Sequence, residues 1–382
     1  MKITEVITKA SINEFIKLPF KIYANDKNWI PHLKQDIEKV FDPKQNKAHA
    51  NGVIKRWILK DSDQKTIGRI AAFIDFKEKE LGGVGFFECI EHKEAAFLLL
   101  DTAKNWLHKN GAEMMDGPIN FGEKNMFWGL LIDNFIDPNS YGMNYNPPYY
   151  RVLFEEYGFQ VYYKQFMYKR DIKVPVQEVF EKKYNTIIAD KNYRISNVEG
   201  VSIEEIGRNF RTVYNAAWGG HDNFKVMTEK TAQKIMKSLK PIYDPKIIVF
   251  VFYKEQPIAF YVNIPELNEI FKHVNGNLNL LGKMKFLYHK LLKTPKTMVG
   301  IVFGVDRDYH GKGVEGAMIK WSELNIANKT QYEQTVLTWV GDFNPKMLKV
   351  CENLGADIYR TYHTYRYLFD REKPFERCPI VN

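Results

Sequence analysis

The sequence predicts a mixed α/β fold that is built twice along one chain of 382 residues. Two segments, 146–158 and 344–355, open with Asn-Pro, carry apolar residues at helical spacing and stop at a glycine. Asn as N-cap, Pro in the first turn and a terminal Gly are typical of a helix. A strand pattern follows each helix, and Tyr162 of the first corresponds to Tyr359 of the second. The match needs a one-residue gap, and duplication explains it better than chance.

The segments upstream of these helices also correspond between the two halves. Each half contains a helical pattern, two alternating apolar segments joined by a polar turn, a further strand and a long helix. The expected order in each half is therefore helix, hairpin, strand, helix, strand, helix, strand. In order, these upstream segments are 12–23, 56–60, 67–75, 85–90 and 93–110 in the first half, and 203–217, 246–253, 257–263, 298–305 and 314–329 in the second.

The expected domain organisation follows from this order. Residues 1–172 form the first lobe and residues 196–382 the second. The segment 173–195, in which a proline and many charges interrupt the pattern, is expected to be a linker.

Composition excludes several classes of protein. An apolar fraction of 45% and a charged fraction of 26% are those of an ordinary globular protein. No apolar run is long enough to span a membrane, and the N-terminus lacks the apolar block of a signal peptide. The three cysteines are far apart and the histidines lack metal-ligand spacing, so neither a disulfide framework nor a metal site is expected. These features favour a cytoplasmic protein.

The net charge of +9 has two interpretations. It either describes a basic surface without special meaning, or it attracts a polyanion such as a phosphorylated cofactor, tRNA or an anionic membrane. The lysines and arginines are dispersed, which argues against a dedicated nucleic-acid-binding arm.

The segment 300–320 carries the clearest chemical signal. It predicts a strand, then a glycine-rich turn at His310-Gly311-Lys312-Gly313, then a helix that begins near Val314. Such a turn directs several backbone N–H groups at one point, and the helix N-terminus adds partial positive charge there. The arrangement is suited to a pyrophosphate.

This order of elements, with the turn between a strand and a long helix, resembles the GCN5-related N-acetyltransferase superfamily. The whole chain is similar to a bacterial group of two-lobed, acetyltransferase-like proteins. In the superfamily the turn has the pattern Arg/Gln-x-x-Gly-x-Gly/Ala; here His310 stands in place of Arg, and Glu315 stands where the last glycine is expected. The resemblance implies that acetyl-coenzyme A or another acyl-coenzyme A is held by Val305, His310, Gly311, Lys312, Gly313, Val314, Gly316 and Asn344.

A later motif of the superfamily carries a tyrosine that often protonates the departing thiolate. The matching position is Cys351 in the second half and Phe154 in the first. The first half also lacks the glycine turn and places Glu91 there. We therefore interpret the first half as a degenerate copy that binds no cofactor and shapes the acceptor site.

Three side chains are candidates for acid–base chemistry. Asp306 is either a base or water relay, or an aspartate that starts a turn. Glu88 lies on an otherwise apolar strand, where it is either half-buried with a raised pKa or exposed. Cys351 is either a proton donor or a buried structural thiol.

The candidate acceptor residues lie in two segments. The polar loop after 116 contains Asn120, which either orients a substrate or belongs to an ordinary connector. At the end of a helix in the second half, Asn215, Trp218 and His221 either line an acceptor pocket or form a Gly-Gly cap over core aromatics.

The predicted function is acyl-coenzyme A-dependent transfer to an unidentified small-molecule or peptide amine. Two alternatives stay open: a non-catalytic binding protein with the same fold, and an aminoacyl-tRNA-dependent transferase. No insertion into a membrane is expected.

Overall fold

The computed structural model describes residues 1–219 and 225–381. Within these ranges thirteen strands form one mixed sheet. The strands are β1 (Lys2–Glu5), β2 (Gly52–Lys60), β3 (Thr66–Asp75), β4 (Leu81–Cys89), β5 (Met114–Gly117), β6 (Leu130–Leu131), β7 (Gln160–Asp171), β8 (Tyr193–Asn197), β9 (Ile248–Tyr253), β10 (Gln256–Pro265), β11 (Thr297–Val305), β12 (Gln334–Gly341) and β13 (Asp357–Leu368).

The described residues also form eleven α-helices. They are α1 (Lys9–Ile22), α2 (Lys34–Phe41), α3 (Lys93–Lys109), α4 (Tyr149–Tyr157), α5 (Glu178–Ala189), α6 (Ile203–Trp218), α7 (Glu229–Leu239), α8 (Asn268–Phe271), α9 (Leu280–Leu291), α10 (Val314–Ser322) and α11 (Pro345–Asn353). A π-helical turn, Glu323–Ala327, extends α10.

The predicted mixed α/β architecture of two similar lobes is confirmed. The first lobe contains the hairpin β2–β3, then β4, α3, β5 and α4. The second contains β9–β10, then β11, α10, β12 and α11 in the same order. The second lobe also carries α8 and α9 between β10 and β11, which the duplication pattern does not predict.

Side-chain caps explain several helix starts. Asn344 caps α11 as expected, since its Oδ1 accepts a hydrogen bond from the Met347 N–H at 3.2 Å. Its counterpart Asn146 does not cap α4, whose N-cap is Pro148. The Asn146 side chain instead bonds both the N–H and the C=O of Leu131, at 2.8 and 3.1 Å. The expected cap at 146 is therefore wrong, because a buried backbone segment competes for the same amide.

The two lobes exchange their final strands. The sheet order is β1-β2-β3-β4-β5-β13-β7-β12-β11-β10-β9-β8, and β6 pairs with β13. Strand β13, the last of the chain, lies antiparallel to β5 of the first lobe. Strand β7, which ends the first half of the sequence, lies antiparallel to β12 of the second lobe. Each lobe therefore completes its sheet with a strand from the other half.

The segment expected to be a linker is largely folded. It contains α5 and the beginning of β8, and α5 packs against α10. The lobe boundaries at residues 172 and 196 stay a prediction, since strands from both halves alternate at the centre of the sheet.

Apolar residues are buried on both faces of the sheet. One cluster in the first lobe packs α3 and α4 on the sheet. In the second lobe one cluster lies under α10 and another under α6. Within the described residues, no helix has the length and the apolar character needed to cross a bilayer.

Candidate active site

Two strands of the second lobe separate at the middle of the sheet. Strands β11 and β12 pair in parallel only from Thr297 to Gly300. Directly after Gly300, Ile301 forms a bulge: Gly300 pairs with Asn263 of β10, and Val302 pairs with Val262, the residue before Asn263. A bulge bends its strand and leaves a residue outside the ladder. The divergence of β11 from β12 begins at this bulge.

The divergence opens a cavity of about 360 Å³, within the range typical of small-molecule sites. Its walls come from β11, β12, α10 with its π turn, and α11, and Trp218 lies at one side. Apolar side chains dominate the lining. They are Ile172, Val176, Met298, Ile301, Val302, Phe303, Ile319, Ile326, Leu337, Val340, Met347, Val350, Leu354 and Ala356.

A few polar groups interrupt this apolar lining. The Tyr261 hydroxyl lies 3.3 Å from the Thr335 hydroxyl. Burial raises the pKa of Tyr261 to about 12, so the phenol is protonated at neutral pH and can donate a hydrogen bond. Thr338 donates to the Gly300 carbonyl at 3.2 Å. These hydroxyls place hydrogen-bonding groups on β10 and β12, the strands on either side of β11.

Cys351 of α11 also lines the cavity. The residue is buried, and desolvation raises the pKa of its thiol to about 11. The sulfur is therefore protonated at neutral pH. Of the three candidates for acid–base chemistry, Cys351 alone contributes to the lining of this cavity.

Trp218 lies at the cavity, with its ring stacked on Tyr214 and Phe260 at centroid distances of 4.9 and 6.1 Å. Its role at an acceptor pocket stays a prediction. The ring of Trp218 covers Gly304, where a Cβ would lie 2.8 Å from the indole. The Asn215 side chain instead hydrogen-bonds the backbone of Met227. Its Oδ1 accepts from the Met227 N–H at 2.8 Å, and its Nδ2 donates to the Met227 carbonyl at 3.1 Å. The proposed role of His221 concerns a residue outside the described ranges.

The glycine turn has the backbone geometry that an anion site requires. Gly311 and Gly313 have φ of 74° and 87°, a left-handed conformation that favours glycine. Gly313 is the N-cap of α10, whose Ile319 further along lines the cavity. Lys312 is exposed. The turn thus places a helix N-terminus and an exposed cation next to an element of the cavity wall.

Helix α5 limits access to part of this turn. A Cβ on Gly313 would lie 3.3 Å from Lys183, and one on Gly316 would lie 2.4 Å from the same side chain. A Cβ on Gly311 would meet nothing within 4 Å. Glu315, half-buried in the first turn of α10, adds negative charge. The Gly311 side of the turn therefore fits a phosphate better than the Gly316 side.

Structural partners are also found for Val305 and Val314 of the predicted cofactor site and for the acid–base candidate Asp306. The Val305 carbonyl lies 3.1 Å from His310 Nε2, and Val314 is buried in the core. Asp306 caps a short 3₁₀ turn by accepting from the Asp308 N–H at 3.1 Å. This contact is that of an aspartate that starts a turn.

Glu88 lies in a buried polar cluster of the first lobe. Its carboxylate accepts hydrogen bonds from the hydroxyls of Tyr23 and Tyr150 at 2.7 and 2.9 Å. Arg69 Nη2 lies 3.4 Å from the other oxygen. Burial raises the pKa of Glu88, although Arg69 and the tyrosines favour the ionised form. Glu88 is therefore paired within its own lobe.

Asn120 also lies in the first lobe. It is buried, and its Nδ2 donates to the Glu123 carbonyl at 3.0 Å. Its Oδ1 has no hydrogen-bond partner among the described residues. Neither Asn120 nor Glu88 lines the cavity of the second lobe.

Sequence reasoning missed Tyr261 and Thr335. Both residues lie in strands that are otherwise mostly apolar, so the sequence does not single them out. The pairing of β10, β11 and β12 brings them to one cavity. The available signal was the strand pattern of residues 257–263, because successive side chains of a strand point to opposite faces of the sheet. Among the described residues, no group of three or more metal-ligating side chains comes together.

Comparisons of sequence place this chain beside two curated bacterial proteins. It is 26% identical over 375 residues to the bacterial ceramide synthase of Caulobacter vibrioides, covering 96% of this chain and 97% of the relative. It is 25% identical over 374 residues to protein YghO of Escherichia coli, covering 94% and 93%. No family model matches the sequence.

Solved structures resemble the whole chain. A tandem acetyltransferase-fold protein of the clavulanic acid pathway aligns with a TM-score of 0.55 and 8% identity, over 97% of this chain and 99% of its own. A fungal β-N-acetylglucosaminidase with a glucosamine N-acetyltransferase region aligns at 0.54 and 12% identity. The alignment covers 96% of this chain, which spans 38% of that longer one.

Proposed function

We propose that this chain, which has the GCN5-related N-acetyltransferase fold in tandem, is an N-acyltransferase. The acyl group comes from a long-chain acyl-coenzyme A, and the acceptor is the amine of a long-chain amino alcohol. The observation that carries the proposal is the apolar cavity of about 360 Å³ between β11 and β12. The name of the Caulobacter relative supports this acceptor class, because a ceramide is the amide of a fatty acid with a long-chain amino alcohol.

The chemistry of the lining favours an alkyl chain over a polar substrate. Transfer of apolar surface from water is favourable by about 25 cal/mol per Å². Apolar side chains outnumber the polar and charged ones at this cavity, although Arg170 and Glu323 are among its lining residues. An acetyl group alone would leave most of such a space without apolar partners. We therefore assign the cavity to the acyl chain.

The bound thioester supplies an acyl group already activated for attack by an amine. The exposed Lys312 and the N–H groups at Gly311 and Gly313 would hold its diphosphate. Near the reacting carbonyl, the bulge at Ile301 disturbs the ladder, so that backbone N–H groups there are suited to stabilise developing negative charge.

Two protonated side chains of the cavity are candidates to supply a proton. The raised pKa values of Tyr261 and Cys351 keep both groups protonated at neutral pH. The phenol, hydrogen-bonded to Thr335, is our choice for orienting the carbonyl or protonating the departing sulfur. Cys351 occupies the position that the superfamily resemblance gives to the proton donor, and it is the second choice.

The test is incubation of the purified chain with acetyl-, octanoyl- and palmitoyl-coenzyme A and sphinganine. Amide is measured by mass spectrometry and free thiol is measured in parallel. We expect amide formation to increase with acyl length, and Tyr261→Phe to lower the rate about tenfold or more. Tyr193→Phe, in the same core but outside the cavity lining, is the control. Absence of amide with every acyl donor would contradict the proposal.

One observation favours a non-catalytic binding protein: the Lys183 side chain lies against Gly313 and Gly316 of the glycine turn. Calorimetry with palmitoyl-coenzyme A distinguishes the two functions. If the chain binds no acyl-coenzyme A, and Gly311→Trp changes none of its properties, the turn has no ligand-binding role.

A further inference from the structure

Helix α9 directs large apolar side chains into solvent. Its single buried residue is Gly282. Seven large side chains on the helix and at its C-cap have exposures between 56% and 77%. They are Leu280, Leu281, Met284, Leu287, Tyr288, Leu291 and Leu292. Soluble proteins rarely expose a contiguous apolar patch of this kind without a function for it.

The spacing of these residues places them on one face. Positions 280, 284, 287 and 291 recur at three and four residues, the period of an α-helix. The opposite side holds the helix to the protein, because Phe286 stacks on Phe271 with centroids 5.7 Å apart. Lys290 Nζ also donates to the Pro241 carbonyl at 2.7 Å. The exposed stripe is therefore the outer face of an anchored helix.

Positive charge surrounds this stripe. No Asp or Glu occurs between Ile270 and Val305. Six lysines lie in the same segment: Lys272, Lys283, Lys285, Lys290, Lys293 and Lys296. Two of them have partners within the protein, since Lys290 bonds the Pro241 carbonyl and Lys296 lies 3.5 Å from Glu333. An apolar face bordered by lysines is the pattern of a helix that lies in the plane of a membrane surface.

We propose that α9 docks on an anionic phospholipid bilayer, with its apolar stripe among the acyl chains and its lysines at the headgroups. Such a surface offers both apolar contact and negative charge. A second copy of this chain fits less well, because two α9 helices packed face to face would bring lysines together without an acidic residue of the segment between them. The proposed contact is peripheral, and no helix within residues 1–219 and 225–381 is long and apolar enough to cross the bilayer.

Docking would also place the catalytic lobe at the membrane. The chain leaves α9 at Leu291 and enters β11 at Thr297, and the next residue, Met298, lines the cavity. This inference goes beyond the proposed acyl transfer, since membrane binding needs no reaction and can be measured in its absence.

The test is co-sedimentation of the full chain with phosphatidylcholine vesicles and with vesicles that also contain phosphatidylglycerol. We expect binding to the anionic vesicles, weakened by high salt. Leu287→Ser with Leu291→Ser should abolish binding without lowering thermal stability, because both side chains are exposed. Removing Lys283 and Lys285 should weaken it by about fivefold per lysine, from about 1 kcal/mol each.

The matched control is Ile136→Ser with Ile188→Ser, which removes exposed apolar side chains elsewhere. This control should bind vesicles like the wild type. Equal binding by the Leu287/Leu291 variant would overturn the proposal. So would concentration-dependent dimerisation lost in that variant without vesicle binding, since the stripe would then be a self-association interface.

Discussion

The two lobes contain the same strand divergence and fill it differently. In the first lobe β4 and β5 pair in parallel only from Leu81 to Gly83, and β4 bulges near Phe86, as β11 does at Ile301. The register then places Glu88 opposite Arg69. The equivalent pair in the second lobe is Phe303 and Tyr261. An ion pair in one lobe thus corresponds to two aromatic residues in the other.

The chain after the next strand decides whether the gap stays open. After β5, residues 118–131 fold back into the first gap, where the Ile119 N–H donates to the Val84 carbonyl at 2.7 Å. The remaining space there is about 40 Å³, against about 360 Å³ in the second lobe. The backbone divergence is therefore common to both copies. The lobes differ because the loop 118–131 and the polar cluster around Glu88 fill the gap in the first lobe, while the gap in the second lobe is open.

The largest expected effect concerns the polar cluster of the filled lobe. Glu88→Gln should lower the free energy of unfolding by about 3–5 kcal/mol, because it leaves Arg69 charged and buried without its partner. Urea denaturation measures the change. The double variant Arg69→Met with Glu88→Gln should recover much of the loss. Wild-type stability together with abolished transfer would instead make Glu88 catalytic and remove this contrast between the lobes.

The next effect concerns the open lobe. Val350→Trp places a large ring at the cavity wall from a partly exposed position on α11. It should reduce acyl transfer about a hundredfold, near 2.7 kcal/mol in activation free energy. Val152→Trp on the matching helix α4 is also exposed, and should leave the rate unchanged. Equal losses in both variants would mean that the cavity is not the acyl site.

Acidic pH should lower the stability of the protein through two buried histidines, one in the first lobe and one on β13, the strand that completes its sheet. Burial lowers the pKa of His32 and of His363 to about 4. Between about pH 4 and 6.5 these two imidazoles bind more protons in the unfolded chain than in the folded one, so their contribution to stability falls as the pH falls through this window. We expect each imidazole to contribute a loss of about 2 kcal/mol between about pH 7 and pH 5. His363→Asn should flatten the profile measured by thermal unfolding, and a wild-type profile already flat would contradict the assignment.

The smallest effect concerns the glycine turn. Lys312→Ala should raise the Kd for acyl-coenzyme A about threefold at low salt and less at high salt, since the side chain is exposed and screened. Lys93→Ala, at the start of α3 in the first lobe, should leave binding unchanged. Calorimetry at two ionic strengths provides the comparison. An effect of Lys93→Ala as large as that of Lys312→Ala would show that the first lobe also takes the ligand.

Local sequence signals predicted the elements but not their long-range partners. The repeated helix–glycine–strand pattern and the turn at 310–313 depend on nearby residues, and the structure places both as expected. The exchange of β7 and β13 was not predicted, because their patterns are so similar that neither indicates which lobe it completes. The filling of the first gap also depends on distant contacts, such as that between Asn146 and Leu131.

The residues of the candidate site also differ in whether local sequence signals could identify them. Cys351 and Trp218 were placed by motif and pattern, and both line the cavity. Tyr261 was missed because its role depends on a neighbouring strand more than 70 residues later, where Thr335 lies. Asn215 was misleading because an amide suited to a substrate is equally suited to a backbone segment such as that at Met227.

The exchanged strands have a consequence for the order of events during protein synthesis. Strand β13 follows the other described strands of the sheet in the chain, so the edge of β5 that it covers has no partner from its own sheet until residues 357–368 have been made. An exposed strand edge is prone to pairing with other chains. The sheet of the first lobe therefore stays incomplete until this strand from the second half of the chain has been made.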